Sequence, residues 1–305
     1  MEESIAAIED VSTAVGRFDE VNRRVGARGE GPMRDDRVAL TTGANSGIGL
    51  ATTLELARRG LRSVGTVRSR AKADAVAERA ESMGLTVETA ILDVGDAESC
   101  ERVVQKYRPT VIVNNAGFSI TGAIEDVGDE EARAALETMV VGPMRLARLA
   151  LPHMREVHHG RIINVSSIYG RATTPLTGWY QASKHALEGV SDALRAEVAA
   201  DGIKVVLVEP GFVRTGIWAE LGSELKGRDG SDFAPSYQRL LANTRLAGPI
   251  MTDPSKVADV IAGVATSRNP RARYLVGCDA QVIAGLEAYV PTRVWDRVAR
   301  TVLDL

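Results

Sequence analysis

Cysteine is scarce in this chain: 305 residues carry two, Cys100 and Cys278, with no CxxC pair and no Cys/His spacing of a zinc site. A disulfide framework is excluded, and the two read as reduced thiols, which fits a cytoplasmic compartment. Histidine is equally thin, at four residues. His158 and His159 fall at a predicted helix end, where a cation complements the helix dipole, and no metal role is expected of any of the four. Charge is balanced, 37 basic residues against 40 acidic, so there is no electrostatic footprint for nucleic acid. No run of ~18 uncharged apolar residues occurs, so no transmembrane span is expected. Met1-Glu2-Glu3 lacks the basic-then-apolar pattern of a signal peptide. What remains is a globular composition, 45% hydrophobic and 25% charged, on a chain long enough for one large α/β domain.

Two regions separate on pattern. In residues 1–32, Ile5, Ile8, Val11, Val15, Phe18, Val21 and Val25 recur every three or four positions, then a glycine-rich stretch ends at Pro32. That spacing predicts an amphipathic helix and a linker, an appendage that carries no chemistry. From residue 33 to 305, short β-rich runs alternate with amphipathic helices. Strands are predicted at 37–41, 62–67, 85–92, 110–113, 161–165, 203–208 and 273–276. Helices are predicted at 47–59, 71–83, 96–107, near 129–156, near 178–201 and at 254–267. This rhythm implies right-handed βαβ units: a single doubly wound Rossmann domain with a seven-stranded parallel sheet flanked by helices. Residues 213–250 break the rhythm and form the expected substrate loop.

Directly after the first strand stands Thr42-Gly43-Ala44-Asn45-Ser46-Gly47-Ile48-Gly49, leading into a helix. Glycines there permit a tight turn and close approach of a pyrophosphate to the helix N-terminus. Tyr180 and Lys184 lie four apart at a helix start and so share a face. A phenol beside an ammonium suits proton delivery to the alkoxide that hydride transfer creates, since the ammonium favours the phenolate. Ser167 ends the fifth strand thirteen residues before Tyr180.

On these residues the chain, from about Arg37 to about Leu286, resembles the short-chain dehydrogenase/reductase family, whose fingerprint is TGxxxGxG. The style of the sequence is similar to its retinol/steroid-dehydrogenase-like branch. The resemblance implies catalytic roles for Ser167, Tyr180 and Lys184, Tyr180 acting as general acid/base. It implies cofactor contacts from Gly43, Asn45, Ser46, Gly47, Ile48 and Gly49, and from Asp93-Val94 after the third strand. Asn114-Asn115-Ala116-Gly117, similar to the family's NNAG, adds Asn115, Ala116 and Gly117. Pro210-Gly211-Phe212-Val213-Arg214-Thr215, similar to PGxxxT, adds Pro210, Gly211, Val213 and Thr215 to Tyr180 and Lys184. At the end of the second strand Val67 fills the slot where NAD-specific relatives carry Asp, and Arg68 follows. A missing acid and an available guanidinium imply NADP(H); Arg70 and Ser46 are secondary candidates. One position departs from the pattern: the fourth helix reads Met139-Val140-Val141-Gly142 where the family has Asn-Val-x-Gly, so the water relay that the Asn serves is rerouted or turnover is slow.

Specificity is expected from 213–250, whose Ile217, Trp218, Leu221, Leu225, Phe233, Tyr237 and Leu240 suit a small lipophilic carbonyl or alcohol substrate. The stretch around Glu224, Lys226 and Arg228 is expected to be solvated. Near the C-terminus, Val294, Trp295, Val298 and Val302 share one face beside Arg293, Arg297 and Arg300. That face suits a membrane-surface helix, a cap on the domain or an oligomer seam. The resemblance implies a homodimer or homotetramer through the helices near 129–156 and 178–201. Two other activities stay open: reduction of acyl-carrier-protein-linked 3-ketones, and a low-turnover NADP(H)-binding sensor or scaffold.

Overall fold

Runs of β-branched and small residues form the sheet. Its strands are β1 (Val38–Thr42), β2 (Arg62–Val67), β3 (Glu88–Ile91), β4 (Val111–Asn114), β5 (Gly160–Val165), β6 (Ile203–Pro210) and β7 (Arg273–Val276). β1 and β5 are buried along their whole lengths, as strands covered on both faces must be. All pairings are parallel, in the order β3-β2-β1-β4-β5-β6-β7. The computed structural model describes residues 37–216, 221–222, 225, 227–248, 251–287 and 289–305. The stripe expected from Ile5 to Val25, and Ile217, Trp218, Glu224 and Lys226, lie outside the described residues.

The helices are α1 (Gly47–Arg58), α2 (Arg70–Glu81), α3 (Ala97–Tyr107), α4 (Asp129–Leu136), α5 (Gly142–Glu156), α6 (Gly178–Glu197), α7 (Ala234–Ala247), α8 (Pro254–Thr266), α9 (Cys278–Glu287) and α10 (Thr292–Leu303). One sheet face is closed by α1 and α8, whose Leu56, Val257 and Ile261 join Ala39, Val113 and Val206. The other is closed by α3 and α5, whose Val103, Val104, Leu146 and Met154 join Leu40, Ile112 and Ile162. Two buried layers around one sheet make the doubly wound architecture. Among the described residues no helix is long and apolar enough to cross a membrane.

The structure corrects the predicted elements in four places. The helix expected over 129–156 is two helices joined by a π turn at Glu137–Val141. Pro143 has no N–H to offer the Met139 carbonyl, and the Gly142 N–H reaches back five residues to the Glu137 carbonyl. Arg145 then braces the turn, pairing with Glu137 at 2.6 Å and donating to the Val94 carbonyl. The third strand is four residues long rather than eight, because Leu85, Thr86 and Val87 make no ladder bonds. Inside 213–250 a full helix, α7, stands where no repeat was read. Finally, His159 is no cation for the helix end: burial lowers its pKa and disfavours the charged form.

Candidate active site

The strand order reverses between β1 and β4, and the crevice outside their C-terminal ends is where ligands of such sheets bind. Gly43 and Gly47 adopt φ of +67° and +52°, the left-handed region open to glycine. Gly49 has no room for a side chain: a Cβ there would lie 2.2 Å from the Gly43 carbonyl oxygen and 2.5 Å from Asn115 Nδ2. Ser46 precedes α1 without capping it, which leaves the first amides of the helix, those of Gly47, Ile48 and Gly49, without the cap that would satisfy them. Uncapped amides at a helix N-terminus are an anion cradle. Asn45 and Ser46 are exposed beside it, with Asn45 Nδ2 3.4 Å from Ser46 Oγ.

The motif after β4 locks onto this turn. Thr42 Oγ1 accepts the Asn115 and Ala116 N–H groups at 3.0 and 2.9 Å, and Asn115 Nδ2 donates to the Thr42 carbonyl at 2.9 Å. Thr215 arrives from the opposite side, its methyl carbon 3.0 Å from where a Gly47 Cβ would stand. Gly117 is exposed at the crevice and backs onto the Met139 thioether. On the adenosine side, Val67 is buried, and Arg68 is exposed with no ion-pair partner among the described residues. Arg70 pairs with Asp74 at 3.0 Å. Asp93 Oδ1 accepts the Gly95 N–H at 2.9 Å, and Val94 beside it is buried.

β5 and α6 bring the predicted trio together. Ser167 ends the strand and accepts the Tyr169 N–H at 3.2 Å, closing a tight turn. Its hydroxyl is also near enough to the Tyr180 phenol to favour the phenolate. Lys184 is buried and donates to the Val165 carbonyl at 2.9 Å, with Nζ 5.6 Å from the Tyr180 ring centre. The ammonium and a nicotinamide charge together are expected to lower the phenol pKa; in the protein chain alone burial dominates. Burial raises Tyr180 to about 12, and the nearby Ser167 hydroxyl offsets only part of that. Lys184 moves the other way, down to about 8, again mainly through burial. Near neutral pH the pair is therefore a neutral phenol and an ammonium, the proton-donating form.

Ser167 and Tyr180 open onto an apolar cavity of about 430 Å³. Its walls come from distant segments: Ile168 and Tyr169 after β5, Phe212 and Val213 after β6, Leu221 and Leu240 from the segment expected to set specificity, and α9 and α10. Tyr169 stands edge-on between Tyr180 and Phe212, at ring-centre distances of 6.5 and 6.0 Å. The outer wall is fastened by polar groups. Asp126 accepts from the Tyr237 hydroxyl and from Ser231 (2.6 Å), while the Tyr237 oxygen accepts the Ala123 N–H at 2.7 Å. Arg228, expected to be solvated, is instead packed in, paired with Glu131 at 2.9 Å and donating to the Asp126 carbonyl. On α10, Trp295 lines the cavity and donates from Nε1 to the Thr173 carbonyl at 2.7 Å.

Sequence reasoning missed two further groups. Asp279, at the start of α9, accepts the Phe212 N–H and lies so close to Gly211 that a Cβ there would come within 2.1 Å of its carboxylate. It holds the turn after β6 in place from 67 residues away, and no local signal announces that. The second is a cluster behind the trio, in which the buried Glu188 and Glu209 are paired with the half-buried Arg273 and the more exposed Arg171.

Comparison with known proteins agrees with this geometry. A family model described as short chain dehydrogenase matches residues 37–226. The 3-ketodihydrosphingosine reductase of Bacteroides thetaiotaomicron is 34% identical over 271 residues, covering 87% of this chain and 97% of the relative. Mouse retinol dehydrogenase 16 is 30% identical, covering 86% and 87% respectively. The solved structure of an actinorhodin polyketide ketoreductase variant with NADPH is 29% identical, covers 82% of this chain and 99% of its own, and superposes with a TM-score of 0.70.

Proposed function

This chain belongs to the short-chain dehydrogenase family, of the retinol/steroid-dehydrogenase-like kind, and from that premise we propose that it reduces a lipophilic ketone or aldehyde to the alcohol with NADPH, and reverses the reaction with NADP. Its class is oxidoreductase, acting between CH–OH and C=O. One observation carries the finer reading: Ser167 and Tyr180 stand together on the wall of a largely apolar cavity, next to a glycine turn that fits a dinucleotide pyrophosphate.

The uncapped amides of α1 would donate to the pyrophosphate, and the close-packed Gly43 and Gly49 would leave room for it. Asp93, Val94, Asn115, Ala116 and Gly117 flank the adenosine, and Pro210, Gly211, Val213 and Thr215 hold the nicotinamide end. Absence of an acid at Val67 and the exposed guanidinium of Arg68 favour a 2′-phosphate, in keeping with the NADPH of the ketoreductase relative. A bound nicotinamide supplies the hydride. Ser167 then donates a hydrogen bond to the carbonyl oxygen, and Tyr180 gives its proton to the oxygen as negative charge develops there. The Lys184 ammonium favours the phenolate that remains. Apolar walls exclude water from that exchange. The compounds in the relatives' names, 3-ketodihydrosphingosine and retinol, support a lipophilic compound. The same reading puts the protein in the cytoplasm, as a homodimer or homotetramer through α4, α5 and α6.

A second reading, a cofactor-binding sensor with little turnover, is favoured by Met139, a buried thioether packed in the cluster beside Tyr180. One experiment separates them. Titrate NADPH and NADH by fluorescence, then assay long-chain ketones, aldehydes and an acetoacetyl thioester. Tighter NADPH binding with turnover of free lipophilic carbonyls supports reduction. NADPH binding with no turnover across the panel favours the sensor, and preference for the thioester favours carrier-linked 3-ketones.

A further inference from the structure

Behind the trio lies charge that the chemistry above does not use. Glu188 follows Lys184 by four residues on α6, so the two share a face, and it is buried, at 8% exposure. Arg273 from β7 donates to Glu188 Oε2 at 3.2 Å, and reaches Asp192 on the next turn of α6 at 2.6 Å. It also stands 3.2 Å from Glu209 Oε1. Glu209 is the next-to-last residue of β6, directly before Pro210-Gly211, and is fully buried; its other oxygen accepts from Arg171, in the turn after β5, at 3.4 Å. The second oxygen of Glu188 faces that turn. A Cβ on Gly170 would lie 3.2 Å from Glu188 Oε1 and 2.7 Å from Ser166 Oγ, so only glycine leaves space for both.

Burying two carboxylates costs several kcal/mol per ion, and such pairs are replaceable by apolar residues when they serve stability alone. This cluster sits where the three reacting segments meet: the Ser167 turn, the Lys184 helix and the Pro210-Gly211 loop. On the other side of α6, α4 and the π turn present the apolar Ala132, Ala135 and Met139 to the Trp179–Tyr180 end. Burial works against charge on Lys184; its hydrogen bond to the Val165 carbonyl and the charge of the Glu188 carboxylate work for it.

We propose that Glu188 is a positioning residue for carbonyl reduction: its buried carboxylate keeps the Lys184 side chain in the ammonium form, and Arg273 and Arg171 keep that carboxylate ionised and in place. This rests on the reading of Lys184 as part of the reacting trio. Ionisation of the cluster is self-limiting. Burial raises Glu188, and burial together with the Glu188 charge brings Glu209 to about 7, so the two acids take up their second negative charge only near neutrality. Arg171 and Arg273 oppose both shifts.

The test reads Lys184 directly. The chain has six lysines, so 13Cε-lysine NMR titration of the full-length protein, with K184R to assign the signal, follows that amine alone. Expected is a Lys184 midpoint near 8 in the wild type, moved down by about one pH unit or more in E188Q. It should return towards 8 in E188D and stay in place in D192N. E188S is made alongside E188Q so that loss of fold in one leaves the titration readable in the other. A Lys184 midpoint unmoved by neutralising Glu188 overturns the proposal and leaves Glu188 as a tie between α6 and β7. In turnover of a long-chain ketone, the alkaline limb of kcat should move with the NMR midpoint while the KM for NADPH stays within about twofold. A wild type that turns over no carbonyl sinks the assigned reaction, while the NMR arm still decides whether Glu188 sets the charge on Lys184.

Discussion

At the nucleotide end of the crevice the working surface is backbone: the amides of α1, the carbonyls of Thr42 and Gly43, and glycines whose missing Cβ atoms leave room. At the substrate end it is side chains, drawn from turns after β5 and β6 and from α7, α9 and α10. The first is joined through main-chain groups: the turn at Thr42–Gly43 is bonded to the Asn115–Ala116 segment at its amides and carbonyls. The second is held through side chains such as that of Trp295, which bonds to Thr173, 122 residues upstream. A backbone surface recognises what every dinucleotide shares, whereas a side-chain surface can be re-cut residue by residue. The contrast predicts that mutations on the two sides alter different kinetic constants.

The largest effect should fall where the two sides meet. Tyr180→Phe removes the proton donor, and kcat should drop by about a thousandfold, with NADPH affinity by fluorescence titration within about twofold. Equal losses in both would mean that Tyr180 holds cofactor rather than moving a proton. The pH dependence comes next. Lys184 carries its proton below about 8 and loses it above, so the rate of reduction should be level near neutrality and fall as pH rises through 8, roughly tenfold per unit. A profile flat to about pH 10 would detach Lys184 from the reaction.

On the nucleotide side, Arg68→Ala should weaken NADPH about tenfold to a hundredfold, the worth of a charge-assisted bond, and leave NADH unchanged. A loss shared by both cofactors would place Arg68 away from a 2′-phosphate. On the substrate side, Trp295→Ala strips part of the apolar wall and should raise the KM of a long-chain ketone about tenfold at little cost in kcat. The smallest effect is structural. Tyr237→Phe removes the Asp126 contact and leaves the Ala123 N–H without its acceptor, costing about 1–3 kcal/mol, visible in thermal unfolding as a drop of a few degrees. A variant as stable as wild type would show that this fastening is dispensable.

Much of the nucleotide side was legible because each feature is local. Gly43, Gly47 and Gly49 sit between a strand and a helix, and Ser167, Tyr180 and Lys184 sit at a strand end and a helix start, so period and spacing alone put them at one edge of the sheet. The π turn was legible in principle as well, since Pro143 lies inside the stretch that otherwise reads as one helix. α7 was not, because its apolar residues serve a cavity wall and not the sheet, and its amphipathic pattern is weak. Arg228 was misjudged for a related reason: its partners, Asp126 and Glu131, lie about a hundred residues upstream.

The sequence by itself determined the alternation of strands and helices, the glycine turn and the places of Ser167, Tyr180 and Lys184 at a strand end and a helix start, since these depend on contacts within a turn or two of chain, where side-chain period and backbone sterics act directly. Only the tertiary structure decided which acids and bases stand behind Lys184, that Asp279 pins the loop after β6, and how α10 closes the cavity. Those are encounters between residues tens to more than a hundred positions apart. Their energies depend on burial and on distances of a few ångströms, and neither quantity exists until the chain has packed.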